Sequence, residues 1–368
     1  MKKNQLIIDH NLKLKDYKKE ISKIFLNNEF TKGDYNKKFS KKLSKLTGAK
    51  FSFLTSSCTT ALSVCLEVLN IKKGDEVAIA DFSWIATAHV VENVGAKPVF
   101  IDVNKDTFNM SHKDLIKKIT KKTKAVIFVD SFGNPSGLIK IKQICKRKGI
   151  PLIEDAACGI GSKINNKYIG NISDFTCFSF HARKILTTGE GGAIQTNSQK
   201  YAKKISLKLK AGAGILKNKI AYEFVEPGYN FRLSEIQALI GLKQINTLKQ
   251  KIILRNKLYI NYKNILSKHK FKFQKIQSGA ISNIQSSVFI VPEKIKRNEL
   301  IKYLRKKKIG SIIGTYSLSA TNYYKKKYNN VQKNSFFLFN NTITLPCHNN
   351  LDVNYILKSI TDYVKKKI

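Results

Sequence analysis

Short β-type runs alternate with amphipathic helical stretches through the first two thirds of the chain, and this alternation restricts the fold more than any other feature. The runs fall at residues 51–55, 77–80, 98–101, 125–129, 151–153 and 175–180. Between them, residues 58–69, 86–94, 115–119 and 139–148 carry apolar side chains at helical spacing, and Gly74, Gly95 and Gly149 close turns. That order predicts an α/β fold, a mostly parallel sheet covered by helices. After Pro227 the texture changes to long helices from Leu233 to about Lys268, then to a shorter α+β stretch at 287–291, 297–307, 343–345 and 353–366. The reading is a large α/β domain with an N-terminal helix over 1–245, then a linking helix and a small C-terminal α+β domain over 246–368.

The net charge of +42 raises a nucleic-acid reading, because Lys and Arg that neutralise phosphates bind polyanions. Only six of the 67 basic residues are Arg, the better residue for bidentate recognition, and the Lys are spread from Lys2 to Lys367. The charge therefore reads as a solvated basic surface rather than a nucleic-acid site. Six cysteines form no CxxC pair and six histidines no HExxH, so neither a metal site nor a disulfide framework is expected. No apolar run approaches the ~18 residues of a membrane span, and the expectation is a soluble cytoplasmic protein.

Four segments carry chemistry. Lys184 lies in Ser179-Phe180-His181-Ala182-Arg183-Lys184, followed by Gly189-Glu190-Gly191-Gly192. A lysine in a glycine-rich stretch after a strand can attack an aldehyde, provided burial or neighbouring positive charge lowers its pKa. Glu154-Asp155-Ala156-Ala157 lies upstream at a strand's C-terminal end, where open α/β sheets bind ligands. A buried aspartate there can pair with a protonated ring nitrogen and keep the ring cationic. Thr55-Ser56-Ser57-Cys58-Thr59-Thr60 leads from the first strand into a helix, whose free N–H groups make a phosphate cradle. Asp81-Phe82-Ser83-Trp84 follows the second strand and holds the chain's one Trp, a flat ring that can stack on an aromatic cofactor.

In their order and spacing these segments resemble the DegT/DnrJ/EryC1/StrS family of nucleotide-sugar aminotransferases, from about Glu29 to near the C-terminus. The resemblance extends to Thr31-Lys32-Gly33, Gly74-Asp75-Glu76-Val77, Gly95-Ala96-Lys97-Pro98 and Gly228-Tyr229-Asn230-Phe231-Arg232-Leu233-Ser234-Glu235. It implies a pyridoxal 5'-phosphate (PLP) transferase of fold type I, with Lys184 as the Schiff-base lysine and proton shuttle. It also implies that Asp155 pairs with the pyridine nitrogen and that Trp84 stacks on the ring. Ser57, Cys58, Thr59 and Ser179 would hold the phosphate. Family members are homodimers with shared active sites, which would send Asn230 to the partner's cofactor phosphate and place Arg232 near the carboxylate of the amino-acid donor. Tyr316 and Ser319 fall among the substrate contacts.

Three departures accompany the match. Cys158 stands where Gln or His usually approaches the cofactor's phenolic oxygen, and a thiol is a weak hydrogen-bond partner. Ser317-Leu318-Ser319 replaces a Pro-Leu-His segment before Tyr323-Tyr324, and Asp130-Ser131-Phe132-Gly133 stands where His often precedes the aromatic-Gly pair. The expected reaction is transamination from an amino acid, L-glutamate foremost, to a nucleotide-linked 4-keto-6-deoxyhexose. Phe231 carries the C4 preference, since relatives acting at C3 more often read Gly-x-Asn-Ser-Arg. The alternatives are a 3-keto sugar, a PLP-dependent dehydration, which in relatives replaces the lysine by His, or a non-catalytic basic regulatory protein.

Overall fold

The computed structural model describes residues 4–215 and 221–367. Seven strands form the main sheet: β1 (Phe51–Thr55), β2 (Glu76–Ala80), β3 (Lys97–Ile101), β4 (Thr123–Val129), β5 (Leu152–Ala156), β6 (Phe175–Ser179) and β7 (Gly192–Thr196). Their order across the sheet is β1-β7-β6-β5-β4-β2-β3, and β7 alone runs against the rest, antiparallel to both β1 and β6. The expected mostly parallel α/β sheet is present. Strands β5 and β6 are buried along their whole length, as helices on both faces require, and this is why such strands read as continuous apolar runs. The alternation of runs does not predict β7, in which Ile194 is the one large apolar side chain.

The helices Cys58–Val68, Ala86–Asn93 and Leu138–Lys148 match the expected stretches within a residue or two. Two further helices, Glu235–Ile245 and Leu248–Leu266, lead into a four-stranded antiparallel sheet built from Lys272–Phe273, Ser287–Ile290, Thr342–Leu345 and Ile312–Ile313. Tyr262, Phe289, Leu300, Leu304, Ile343 and Ile360 close a second core beneath it. The N-terminal segment joins this second core rather than the first: Gln5 bridges Ile309 in parallel, and the Gly310 N–H donates to the Gln5 carbonyl at 2.7 Å.

The two halves are stitched at the edge of the main sheet where the like-directed strands end. Phe82–Ser83, just beyond β2, pairs antiparallel with Tyr316–Ser317. Asp81 anchors the seam, accepting from the Ser317 hydroxyl at 2.8 Å and the Ser319 N–H at 2.7 Å. Burial pushes its carboxyl up to about 6, and the hydrogen bonds from Ser317 and Ser319 oppose the rise only in part. The folded protein thus holds a proton that the unfolded chain releases near pH 3.9. Stability from this group is therefore fullest below that value and declines as pH rises to about 6. Denaturant unfolding of Asp81→Asn between pH 4 and 7 is expected to lack this decline; the same slope in both proteins would clear Asp81 as its source.

Candidate active site

A cavity of about 570 Å³ opens at this edge, walled by both halves of the chain. Its floor begins at the end of β1. The Ser57 hydroxyl caps the helix Cys58–Val68 by accepting from the Thr60 N–H at 3.1 Å, and the Ser57 N–H donates to Thr60 Oγ1 at 3.1 Å. The capping box engages the Ser57 N–H, whereas the Ser57 hydroxyl accepts in it and keeps its own O–H to donate. The N–H groups of Cys58 and Thr59, in the first turn, remain to receive an anion at the positive end of the helix. Register explains how closely the turn is held: Gly192 pairs with both Thr55 and Ser179. A Cβ on Gly192 would lie 2.5 Å from the Ser57 carbonyl carbon and 2.7 Å from the Cys58 nitrogen.

Asp155, in the penultimate position of β5, is 5% exposed. Its Oδ2 accepts from Thr87 Oγ1 at 2.9 Å and its Oδ1 from the Ala157 N–H at 3.2 Å, with Cys58 Sγ 3.8 Å from Oδ1. Burial raises its pKa, against those hydrogen bonds. Lys184 follows β6 by five residues, and its Nζ donates to Cys158 Sγ at 3.3 Å. Burial pushes the Lys184 amine down, but Cys158, Cys58 and Asp155 outweigh it and leave the pKa above that of ordinary lysine. The lowered value expected for this lysine is not what the protein alone produces, because thiols and a carboxylate face the amine. Ser179 lines the cavity and its hydroxyl accepts from the His181 N–H at 3.3 Å. Trp84, 54% exposed, stands at the rim with its ring 5.7 Å from that of Tyr316, which also lines the cavity.

Four residues marked from the sequence lie elsewhere. Ser319 is buried at the seam, bonded to Asp81 and accepting from the Gln332 N–H at 3.0 Å, so it does not line the cavity. Asn230 is exposed, and Arg232 has a buried Nε without an acceptor; neither faces the cavity of its own chain. Phe231, to which the C4 preference was assigned, stacks on Tyr229 with ring centroids 4.4 Å apart and does not line this cavity.

Other residues at the site have no sequence signature. Thr87 holds Asp155 from a helix that merely passes by. Gln285 brackets the lysine: its Oε1 accepts from the Ile185 N–H at 2.8 Å and its Nε2 donates to the Arg183 carbonyl at 2.8 Å. Asn283 does the same for the cysteine turn, donating to the carbonyls of Cys158 and Ile160, each at 2.8 Å.

An amine, a buried carboxylate and a free helix N-terminus converging at the strand ends of a seven-stranded α/β sheet define a PLP enzyme of fold type I. Comparison with known proteins gives the same class. GDP-perosamine synthase of Escherichia coli O157:H7 is 30% identical over 345 residues, covering 92% of each chain. The Spr1654 protein of Streptococcus pneumoniae in its PLP-form superposes with a TM-score of 0.92 at 26% identity, covering 100% of both chains; its PMP-form gives 0.92 at 26% identity, covering 99% and 98%. PseC of Helicobacter pylori, an aminotransferase involved in the biosynthesis of pseudoaminic acid, superposes at 0.91 with 26% identity over 99% and 100%. The model of the DegT/DnrJ/EryC1/StrS aminotransferase family matches residues 13–361, and the chain belongs to that family. It is a PLP-dependent aminotransferase.

The site fits PLP on its own geometry, since the Gly192 cradle lets backbone close around an anion and the Asp155 carboxylate lies buried in reach of the same cavity as Lys184. Gly192→Ala is expected to displace the Ser57 turn, costing about 1–3 kcal/mol as overpacking and weakening PLP retention roughly in proportion. Equilibrium dialysis of PLP against the variant measures this; undiminished retention would mean that the turn does not hold the phosphate.

Proposed function

We propose that this enzyme transfers an amino group from an amino acid, L-glutamate foremost, to a nucleotide-linked 4-keto-6-deoxyhexose in amino-sugar and surface-polysaccharide biosynthesis. The observation that carries the reading is the convergence of Lys184, Asp155 and the Cys58–Thr59 N–H groups on one cavity. The relationship to a GDP-perosamine synthase supports a nucleotide sugar as acceptor.

Bound in this cavity, PLP supplies an aldehyde carbon that takes up the amino group and an electron-withdrawing ring. Lys184 Nζ would take the proton from the donor's α-carbon and pass it to the former aldehyde carbon in the first half of the cycle, and in the second half would carry a proton the other way, onto the sugar's former keto carbon. Asp155, out of water and held by Thr87 and Ala157, favours a cation at its oxygens, which in turn restores the ionised carboxylate that burial disfavours. Thr59, Ser179 and the first-turn N–H groups bind the phosphate, and Trp84 covers one ring face. Cys158 sits beside the amine and takes the place of the usual partner of the phenolic oxygen.

A homodimer with shared sites accounts for the residues that miss their own cavity. Asn230 is exposed next to the strand pair Ala213–Ile215 and Tyr222–Phe224, whose Tyr222 and Phe224 are 61% and 70% exposed. Burial of such rings against a second copy is the ordinary use of an apolar surface. In that assembly Asn230 reaches the partner's phosphate, and Arg232 and Phe231 lie near the partner's substrates. Phe231 supplies the C4 preference there, an effect worth about 1–3 kcal/mol.

Mixing the PLP-loaded protein with L-glutamate is expected to convert its absorbance to that of the pyridoxamine form. Subsequent addition of a nucleotide-linked 4-keto-6-deoxyhexose should restore it. No conversion with any common amino donor would end the assignment, whereas preference for a 3-keto sugar would end only the C4 reading. Among the described residues no helix is long and apolar enough to cross a membrane.

A further inference from the structure

Among the described residues, Arg255 is a buried cation without a counter-charge. It belongs to the helix Leu248–Leu266, is 5% exposed, and lines the same cavity as Lys184 and Cys158. Its Nη1 donates to the carbonyls of Ile284 at 3.2 Å and Gln285 at 2.6 Å. Among the described residues no carboxylate pairs with it, and its Nε and Nη2 have no protein acceptor. The acids on the cavity wall are engaged elsewhere: Asp155 with Thr87 and Ala157, and Glu190 beside His181 at 3.6 Å.

The surroundings add positive charge rather than relieve it. Lys251, one turn earlier on the same helix, has its amine pushed down to about 8 by burial and by the Arg255 charge. His10 is lowered by burial first, and both Lys251 and Arg255 add to that fall. A guanidinium removed from water is stable when an anion and hydrogen bonds satisfy it, and its planar fork matches a carboxylate. With one terminal nitrogen fixed on two carbonyls, the remaining edge of Arg255 is held in place before any ligand arrives.

We propose that Arg255 is the residue that binds a carboxylate of the amino-acid donor. The inference rests on the aminotransferase reading above and assigns to Arg255 the recognition that the sequence motif placed on Arg232. The anion comes from the donor because a carboxylate adjoins the carbon whose amine reacts, whereas a nucleotide sugar carries its phosphates away from its keto carbon. Arg255 is tied to the reacting end of the cavity through Gln285, whose carbonyl accepts from its Nη1 and whose side chain brackets Lys184 at the Ile185 N–H and the Arg183 carbonyl.

Arg255→Gln and Arg255→Lys in the PLP-loaded protein test the assignment, with Arg232→Gln beside them. Loss of the charged fork is expected to raise the KM for L-glutamate about ten- to a hundredfold, with the KM for the ketosugar unchanged. Arg255→Lys should recover part of that loss. Titration calorimetry with 2-oxoglutarate gives a second readout that needs no turnover, and a comparable weakening is expected. A loss for L-alanine as well as L-glutamate assigns the α-carboxylate, and a loss for L-glutamate alone assigns the side-chain carboxylate; both support the proposal. Should the Gln variant fail to fold, as judged by thermal melting and PLP absorbance, the Lys variant carries the same test. The proposal is overturned if a folded variant keeps its donor KM and 2-oxoglutarate affinity, if the ketosugar KM rises equally, or if only Arg232→Gln shows the donor-specific loss. Failure of the underlying reading looks different, because the unaltered protein would then fail to convert its cofactor with any amino donor.

Discussion

Replacing Lys184 by Ala is expected to lower transamination by on the order of 10⁴ to 10⁶ while leaving the fold in place. The size follows from removing one group that serves both as the amine bonding the cofactor aldehyde and as the proton carrier, two roles that are lost together. The fold survives because the side chain makes one hydrogen bond, to Cys158, and what its ammonium gains from Cys158, Cys58 and Asp155 is offset in part by the burial that opposes it. Thermal melting of the cofactor-free variant should therefore match the parent protein. Borohydride reduction and peptide mapping provide the direct check on the parent, with label expected on the peptide that carries Lys184. Label on another lysine would overturn the assignment whatever the variant's activity.

Asp155→Asn carries the next largest effect, a fall in turnover of roughly two to three and a half orders of magnitude. That range converts the ~3–5 kcal/mol lost when one partner of a buried ion pair is removed. The amide keeps its one oxygen for the Ala157 N–H and can donate from its nitrogen to the Thr87 hydroxyl, so the loss reports the charge more than the packing. Stability should move the other way. Burial raises the folded pKa of Asp155, so its contribution falls as pH climbs above the unfolded value near 3.9, and without cofactor the ionised carboxylate is a burden at neutral pH. The cofactor-free variant is thus expected to melt above the cofactor-free parent at pH 7, and PLP should raise its midpoint by less. A variant that melts lower without cofactor, or gains as much from PLP, would contradict this account of the site.

The large sheet was legible because its central strands are buried on both faces, and the departures have local causes. The run at 151–153 ends in sequence where Glu154 and Asp155 begin, yet β5 continues through both to Ala156. Thr176 supplies a hydrogen bond to Glu154 at 2.8 Å and Thr87 one to Asp155, which makes charged residues tolerable inside a strand. The chemistry of Lys184 and Asp155 showed in their neighbours along the chain, but what fixes them did not. Gln285 and Asn283 act through single amide side chains brought from the other half of the protein, and a lone amide leaves no periodic mark. The Asn230–Arg232 motif was plain as a string of residues, and the resemblance sent Asn230 to a partner's phosphate; in its own chain neither Asn230 nor Arg232 lines the cavity.

The placement of β7 between β1 and β6 also sets a schedule for synthesis. Thr55 and Gly192 are neighbours across two strands, yet a ribosome adding about 5–20 residues each second needs on the order of ten to thirty seconds to travel from one to the other. Throughout that interval the nascent chain carries a β1 edge with no partner and a Ser57 turn with nothing beneath it. With the phosphate held by this turn as proposed, PLP is captured only after β7 has left the exit tunnel, and a polypeptide ending before Thr196 has the residues of the Ser57 turn but no floor to hold them in position.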